Sequence, residues 1–264
     1  LVSKPPAPSV EKKIYGLLAG AEKPVVIDFI GGQAESVKKA GAIPCLSLED
    51  AARKAVAVLR EEEPVDFDGF DLPPEEIDRL VREALARLKP DQKYLRAFYT
   101  GGTLADEAIK YLGAEHLIYS NIPLTPDRAW DKLEGRAGHI CLDLGEDQFT
   151  RGRPHPMIDP MTRTEFFDAW LDQSTALVLV DVVLGYGSHE DPASAVAESI
   201  EKARRKLQAS GRDLAVVASI TGTDQDPQDL EKSKKVLEEA GVLVMPSNAQ
   251  AVRLADRIMK AAGI

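Results

Sequence analysis

The ten residues Arg151-Gly-Arg-Pro-His155-Pro-Met-Ile-Asp159-Pro160 put two guanidiniums, an imidazole and a carboxylate on one proline-stiffened stretch. Proline fixes φ and lowers the conformational freedom that an ordered loop must give up. Arginine pairs suit planar anions such as carboxylate and phosphate. Arg151 and Arg153 lie two residues apart, so in an extended segment both point to one side; the competing reading is surface pairing with the abundant Asp and Glu. His155 is restrained by its flanking prolines and could act as a general acid or donate to developing negative charge; the competing reading is a ring that braces the loop by bonding backbone. Together with Asp159, these residues form the expected floor of an anion-handling active site.

The loop needs elements to hold it. It follows a strand-like run, Ile140–Leu144, and precedes a helix expected to open at Asp159-Pro160. Three further turns repeat the pattern of strand, small-residue loop and helix: Thr100-Gly101-Gly102-Thr103, Gly185-Tyr186-Gly187-Ser188 and Thr221-Gly222-Thr223-Asp224. Right-handed crossovers put all four loops at one edge of a parallel sheet, where ligands of open α/β folds bind. Glycine lets backbone N–H groups approach an anion, and a helix amino end adds partial positive charge. Thr100, Gly101, Gly102, Thr103, Gly185, Tyr186, Gly187, Thr221, Gly222 and Thr223 are therefore the expected phosphate or anion contacts. No Walker lysine and no GxGxxG accompanies them.

No dedicated protein metal site is read from the sequence. Asp106, Asp191, Asp224 and Asp226 could hold Mg²⁺ through a phosphate; Asp191 and Asp226 read better as helix caps. Asp143 and Asp181, at or in strand ends, could be functional carboxylates or could cap neighbouring loops. His116, His139 and His189 read as non-catalytic, and Ser188, His189 and Asp191 are too close in sequence for a triad.

Elsewhere, continuous Val/Leu runs alternate with helical patterns, which specifies an α/β fold with a parallel sheet covered on both faces. Strands are expected at Tyr94–Tyr99, Ile140–Leu144, Ala176–Val182, Leu214–Ile220 and Val242–Met245, with one more at Glu115–Tyr119. Helices are expected at Thr103–Leu112, Pro160–Trp170, Pro192–Ala209, Pro227–Ala240 and Asn248–Ala262. Asp159-Pro160, Asp191-Pro192 and Asp226-Pro227 place an acidic N-cap before a first-turn proline, and Thr103…Asp106 and Ser247…Gln250 resemble capping boxes. Residues 1–63 read as a partial α/β domain, 64–93 as an acidic linker and helix, and 94–264 as the main domain.

The chain has 264 residues, 44% of them hydrophobic and 29% charged, with net charge −10. An acidic protein does not bind nucleic acid through a general basic field, so any anion must be held by local positive charge. Its two cysteines, Cys45 and Cys141, lack metal-ligand spacing and read as buried side chains in a reducing, cytoplasmic setting. No run approaches the ~20 apolar residues of a membrane span, and none reads as a signal peptide. The opening, Leu1-Val2-Ser3, lacks an initiator Met and reads as the carboxyl-terminal part of something longer or as a processed end.

Residues 99–108 (YTGGTLADEA), 152–160 (GRPHPMIDP), 179–187 (LVDVVLGYG) and 221–228 (TGTDQDPQ), with the opening Val2-Ser-Lys-Pro-Pro-Ala7, resemble the FdrA family of the succinyl-CoA synthetase superfamily. The resemblance covers nearly the whole chain and corresponds to the carboxyl-terminal half of a typical member. It implies that residues 1 to about 60 are similar to the end of a synthetase α-subunit domain. It also implies that residues 94–264 form a flavodoxin-like ligase domain like that of the β-subunit. It further implies an acyl-CoA synthetase, or a carbamoyl- or acyl-phosphate transferase such as an oxamate carbamoyltransferase subunit. The partners implied are a small carboxylate, an acyl or carbamoyl phosphate, and further copies or companion subunits. CoA or a nucleotide would be bound by regions not in this chain. The competing reading is a non-catalytic assembly subunit. One departure stands out: the superfamily relays phosphate through the histidine of a Gly-His-Ala-Gly loop, and here no histidine precedes His116.

Overall fold

The structure, a computed structural model, describes residues 1–18 and 20–264. The chain divides into two compact units, Leu1–Phe70 and Asp71–Ile264. In the first unit, β1 (Val2–Ser3), β2 (Val26–Phe29) and β3 (Ile43–Pro44) make a small parallel sheet in the order β1-β2-β3, flanked by α1 (Pro8–Leu18), α2 (Ala34–Lys39) and α3 (Leu48–Leu59). Ser47 caps α3 by accepting from Asp50 N, as its position ahead of the apolar run predicts. The acidic stretch beyond α3 is tied back. Lys54, 2% exposed, pairs with buried Asp50 at 2.9 Å and also with Asp66, while Phe67 N donates to Asp50 Oδ1.

The second unit opens with α4 (Pro74–Ala86) and then alternates strands and helices: β4 (Tyr94–Tyr99), α5 (Gly102–Leu112), β5 (Ile118–Tyr119), β6 (His139–Asp143), α6 (Asp147–Thr150), α7 (Met161–Trp170), β7 (Thr175–Val183), α8 (Pro192–Gln208), β8 (Ala215–Thr221), α9 (Leu230–Glu239), β9 (Leu243–Met245) and α10 (Asn248–Ala262). The order is β5-β6-β4-β7-β8-β9, and every pair is parallel. Setting aside the outer β5, this is the flavodoxin-like 2-1-3-4-5 winding. β7 is buried along all but its last residue, as a central strand covered on both faces requires. One face packs Phe98, Val178 and Val180 against Phe167 of α7 and Ile200 of α8. α5 and α10 cover the other face and touch each other, and α4 packs on α10. Each such fully buried Leu, Val or Phe contributes about 1.5–3 kcal/mol.

Several local readings are corrected. α9 opens at Leu230, capped by Asp229, and not at Asp226-Pro227. The Asp226 carboxylate is drawn instead into the preceding turn, accepting from Thr223 N and Oγ1. Thr103 is not a cap: α5 begins at Gly102 behind an extended Gly101, and no side chain caps it. α7 opens at Met161, whose N–H donates to Asp159 Oδ1 two residues back. The short α6 has no periodicity long enough to announce it, and the strand expected over Glu115–Tyr119 contracts to its last two residues. The capping boxes divide: Ser247 accepts from Gln250 N as read, and Asp191 caps α8 through Ser194 N.

His139 braces this fold while neutral. Its Nδ1 accepts from Leu95 N at 3.1 Å, and burial, with help from the His116 and Arg96 charges, holds its pKa down to about 4. The unfolded chain takes up that proton near pH 6.5 and the folded chain does not, so stability falls as pH drops from about 6.5 to about 4. The expected loss from this group is on the order of 2–3 kcal/mol. Urea melts at pH 7 and pH 4.5 should show it, and His139→Gln should shrink the difference by that amount; an unchanged pH dependence in the variant refutes the assignment.

Candidate functional site

β4 and β7 are neighbours whose following helices, α5 and α8, cover opposite faces of the sheet. Their carboxyl ends form the crevice at which open α/β sheets bind ligands. Asp181 of β7, fully buried, stands there. Its Oδ1 accepts from Thr100 N at 2.9 Å, and its Oδ2 from Thr100 Oγ1 at 2.6 Å. Arg163 of α7 completes the arrangement, donating from Nη2 to Oδ1 at 2.9 Å and from Nη1 to the Asp181 carbonyl at 2.6 Å. Burial pushes the Arg163 pKa down and the Asp181 charge opposes that, so the guanidinium remains a cation. The carboxylate fixes the turn that leads into α5 and the cation fixes the start of α7.

The proline-rich loop sits on two bare stretches of backbone. A Cβ built on Gly145 would meet His155 Nε2 at 2.5 Å, the Thr100 carbonyl at 2.7 Å and Asp143 Oδ1 at 3.1 Å. A Cβ on Gly101 would meet the Met157 methyl at 3.1 Å. The His155 ring thus lies against the turn after β6, and Met157 lies over the entrance to α5. His155 Nδ1 accepts from Met157 N at 3.3 Å, and the His155 carbonyl accepts from Ile158 N and Asp159 N. An accepting Nδ1 puts the proton of the neutral ring on Nε2, making that nitrogen a donor and not a nucleophile.

The other expected site residues are placed as follows. Arg153 pairs with Glu165 at 2.7 Å, both groups well exposed, which is the surface-pairing alternative. Arg151 is exposed on the same loop, and Asp159 Oδ1 accepts from the first residue of α7. The four glycine-bearing turns do lie at one edge, since each follows the carboxyl end of a strand in an all-parallel sheet. Their amides differ in availability. Thr100 N is committed to Asp181, Gly185 N to Gln228 Oε1 and Thr223 N to Asp226. The first-turn amides of Gly102 and Thr103 have no side-chain cap and no acceptor within the helix. Tyr186 stands 92% exposed between Gly185 and Gly187, both with left-handed φ, and Thr221 closes β8 with its carbonyl accepting from Leu184 N.

Three residues that organise this rim were not read as functional. Gln228 stitches the Gly185 turn, donating to the carbonyls of Gly185 and His189 at 3.0 and 3.1 Å. His189 N in turn donates to Met157 O at 2.7 Å. Asn121 pairs its amide with the Asp143 backbone, 2.9 Å each way. Arg163 is the third, and its only sequence signal is a charged position inside an otherwise helical pattern. Burial holds the Cys141 thiol well above its ordinary value, so it supplies no thiolate. Of the other candidate aspartates, Asp106 pairs with Lys110 at 2.8 Å, Asp143 accepts from Gly145 N at 2.9 Å and Asp191 caps α8, while Asp224 is exposed.

Residues 98–258 match the sequence pattern of the CoA-ligase family. The chain belongs to the CoA-ligase family. The matched span begins within β4 and ends in α10, so it contains the whole rim. The chain is also similar to the uncharacterized protein YahF of Escherichia coli (strain K12), with 36% identity over 258 residues, 97% of this chain and 49% of that protein. It therefore spans about half the length of this curated relative. Like the CoA-ligase fold, the sheet is a parallel α/β sheet wound in flavodoxin-like order. Among the described residues no helix is long and apolar enough to cross a membrane.

Removing the cation from the crevice of this CoA-ligase unit tests its role. Arg163→Met leaves Asp181 buried without its charge partner and should cost about 3–5 kcal/mol in urea denaturation. A loss under about 1 kcal/mol contradicts the buried ion pair as the element that joins β7, α7 and the Thr100 turn.

Proposed function

We propose that this chain is the ligase half of an FdrA-like acyl-CoA synthetase or carbamoyl/acyl-phosphate transferase acting on a small carboxylate, with an oxamate carbamoyltransferase subunit as the specific case. The observation that carries the reading is the convergence of the His155 and Met157 loop on the uncapped amino end of α5, at the switch point of the sheet. In this reading the first-turn amides of α5 face the phosphate, where the helix dipole and unpaired N–H groups favour an anion. His155 donates from Nε2 to the oxygen that gains charge as the acyl–phosphate bond forms or breaks. Arg151, and not Arg153, supplies the mobile positive charge. Asp181 and Arg163 hold the amides in place and do not contact substrate.

Family membership supports the ligase chemistry, and in this reading CoA or a nucleotide is held by regions outside this chain, as the FdrA resemblance implies. The histidine of the superfamily's phosphate relay has no counterpart within this chain, and the donor tautomer of His155 does not replace it as a phosphoryl acceptor. The proposed reaction therefore uses the acyl phosphate directly. The small carboxylate and the acyl or carbamoyl phosphate are the proposed partners, in an oligomer or with companion subunits; any Mg²⁺ would enter bound to phosphate.

One observation favours an assembly role instead. α1 buries none of its residues, and Leu17 and Leu59 are 77% and 83% exposed, so the first unit presents apolar surface suited to a companion subunit.

Thermal shift with carbamoyl phosphate, phosphate, oxamate and CoA separates these readings. Saturation at 100 times Kd should stabilise the chain by about 2.7 kcal/mol. Arg151→Ala should weaken carbamoyl phosphate binding about 10-fold, as loss of one charge-assisted contact does, with an unchanged melt in its absence, while Arg153→Ala should leave binding within about 2-fold. His155→Gln, assayed with companion subunits present, should lower turnover by about 10²–10⁴. No response to any ligand alongside tight subunit binding overturns the catalytic reading.

A further inference from the structure

β9 is an outer strand, hydrogen-bonded to β8 and bare of any other strand among the described residues. Residues 241–246 line a groove of about 560 Å³ that runs along this free edge. α4 forms one wall and α9 the other, with Leu80 and Leu230 giving each an apolar base. β9 itself, Leu243–Met245, offers about 10 Å of free edge, the low end of strand length.

The charges on the walls select the occupant. Glu76 and Glu83 rise from α4, Glu231 and Glu238 from α9, against Arg79 and Lys234. Four glutamates against these two bases and the neighbouring Arg87, which pairs with Glu83 at 3.6 Å, leave one net negative charge. Both bases are already engaged: Arg79 pairs with Glu76 at 2.6 Å and Glu83 at 3.1 Å, and Lys234 pairs with Glu238 at 4.0 Å. A second copy docked edge to edge would bring the glutamates of both molecules to one seam, on chains that each carry −10. A basic strand meets no such repulsion, and an unpaired edge offers it main-chain hydrogen bonds.

We propose that the groove between α4 and α9 binds an extended, lysine- or arginine-bearing segment of another protein, added as a strand to β9. Specificity comes from alternate side chains: apolar ones seated between Leu80 and Leu230, basic ones paired with the glutamate rim. The groove reaches the carboxyl rim at Gly222, and the proposal needs none of the chemistry placed at His155 and α5.

The probe is an acetylated and amidated peptide of alternating lysine and valine, about eight residues long, with its glutamate–valine counterpart as control. Titrated into the full chain by calorimetry and by amide NMR, the lysine peptide should bind with micromolar affinity and shift the amides of residues 241–246; the control should not bind. Glu231 is exposed, and Glu231→Lys should weaken binding about 10-fold without moving the melting temperature. Val244→Pro should abolish binding if it folds, and Glu231→Lys decides the matter if it does not. No binding, equal binding of both peptides, or shifts spread away from 241–246 overturn the proposal. So does a concentration-dependent dimer whose interface maps to β9, which would assign the groove to a second copy.

Discussion

The contact of Asp181 with Thr100 and Arg163 is the constraint on which the rest of the site depends. At a switch point two neighbouring strands release their chains to opposite faces, so the backbone there cannot be held by the sheet's own ladder. Asp181 supplies the missing bonds, accepting from the Thr100 amide and hydroxyl where β4 leaves the sheet. A buried carboxylate in that place needs a cation, and Arg163 provides it with two good hydrogen bonds. The pair therefore does mechanical work. It sets where α5 begins and where α7 begins, and the proline-rich loop spans the gap between β6 and α7.

That placement explains the glycines better than general flexibility does. Gly101 and Gly145 have no left-handed φ; they are bare because Met157 and His155 rest directly on their backbone. At Gly185 and Gly187 the reason differs. Both lie at positive φ, which lets the turn project Tyr186 outward while Gln228 holds its base. Glycines that look alike in sequence thus answer to two constraints, close approach and backbone conformation.

Much of the second unit was legible because its strands are buried on both faces and its helices on one. Tyr94–Tyr99 and Asn248–Ala262 are located to the residue by apolar runs and caps. The common edge of the four loops also followed from sequence, since right-handed parallel crossovers leave no other arrangement. What escaped was the choice among equivalent polar partners. Nothing local says that Arg153 pairs with Glu165 while Arg163 turns inward, because both lie near carboxylates in the sequence and the outcome depends on which side of α7 faces the crevice. Asp226 looked like a cap because its proline neighbour is a common helix start. Tertiary bonds from Gln228 and the Thr223 turn moved the helix start three residues on.

The same partner choices determine how an acidic chain could hold an anion. With Arg153 neutralised by Glu165 and Arg163 by Asp181, most of the positive charge near the rim is already compensated. What remains is exposed Arg151 and the end of α5, and the attraction of the latter comes from oriented N–H groups and acts within about one turn. A field of that range cannot gather ligand from a distance against a net charge of −10, but it distinguishes an anion seated on the amides from one a few ångströms away. Such a site gains little from electrostatic steering and much from shape, which is the property that a loop seated on two glycines and clamped at Met157 by His189 is built to keep.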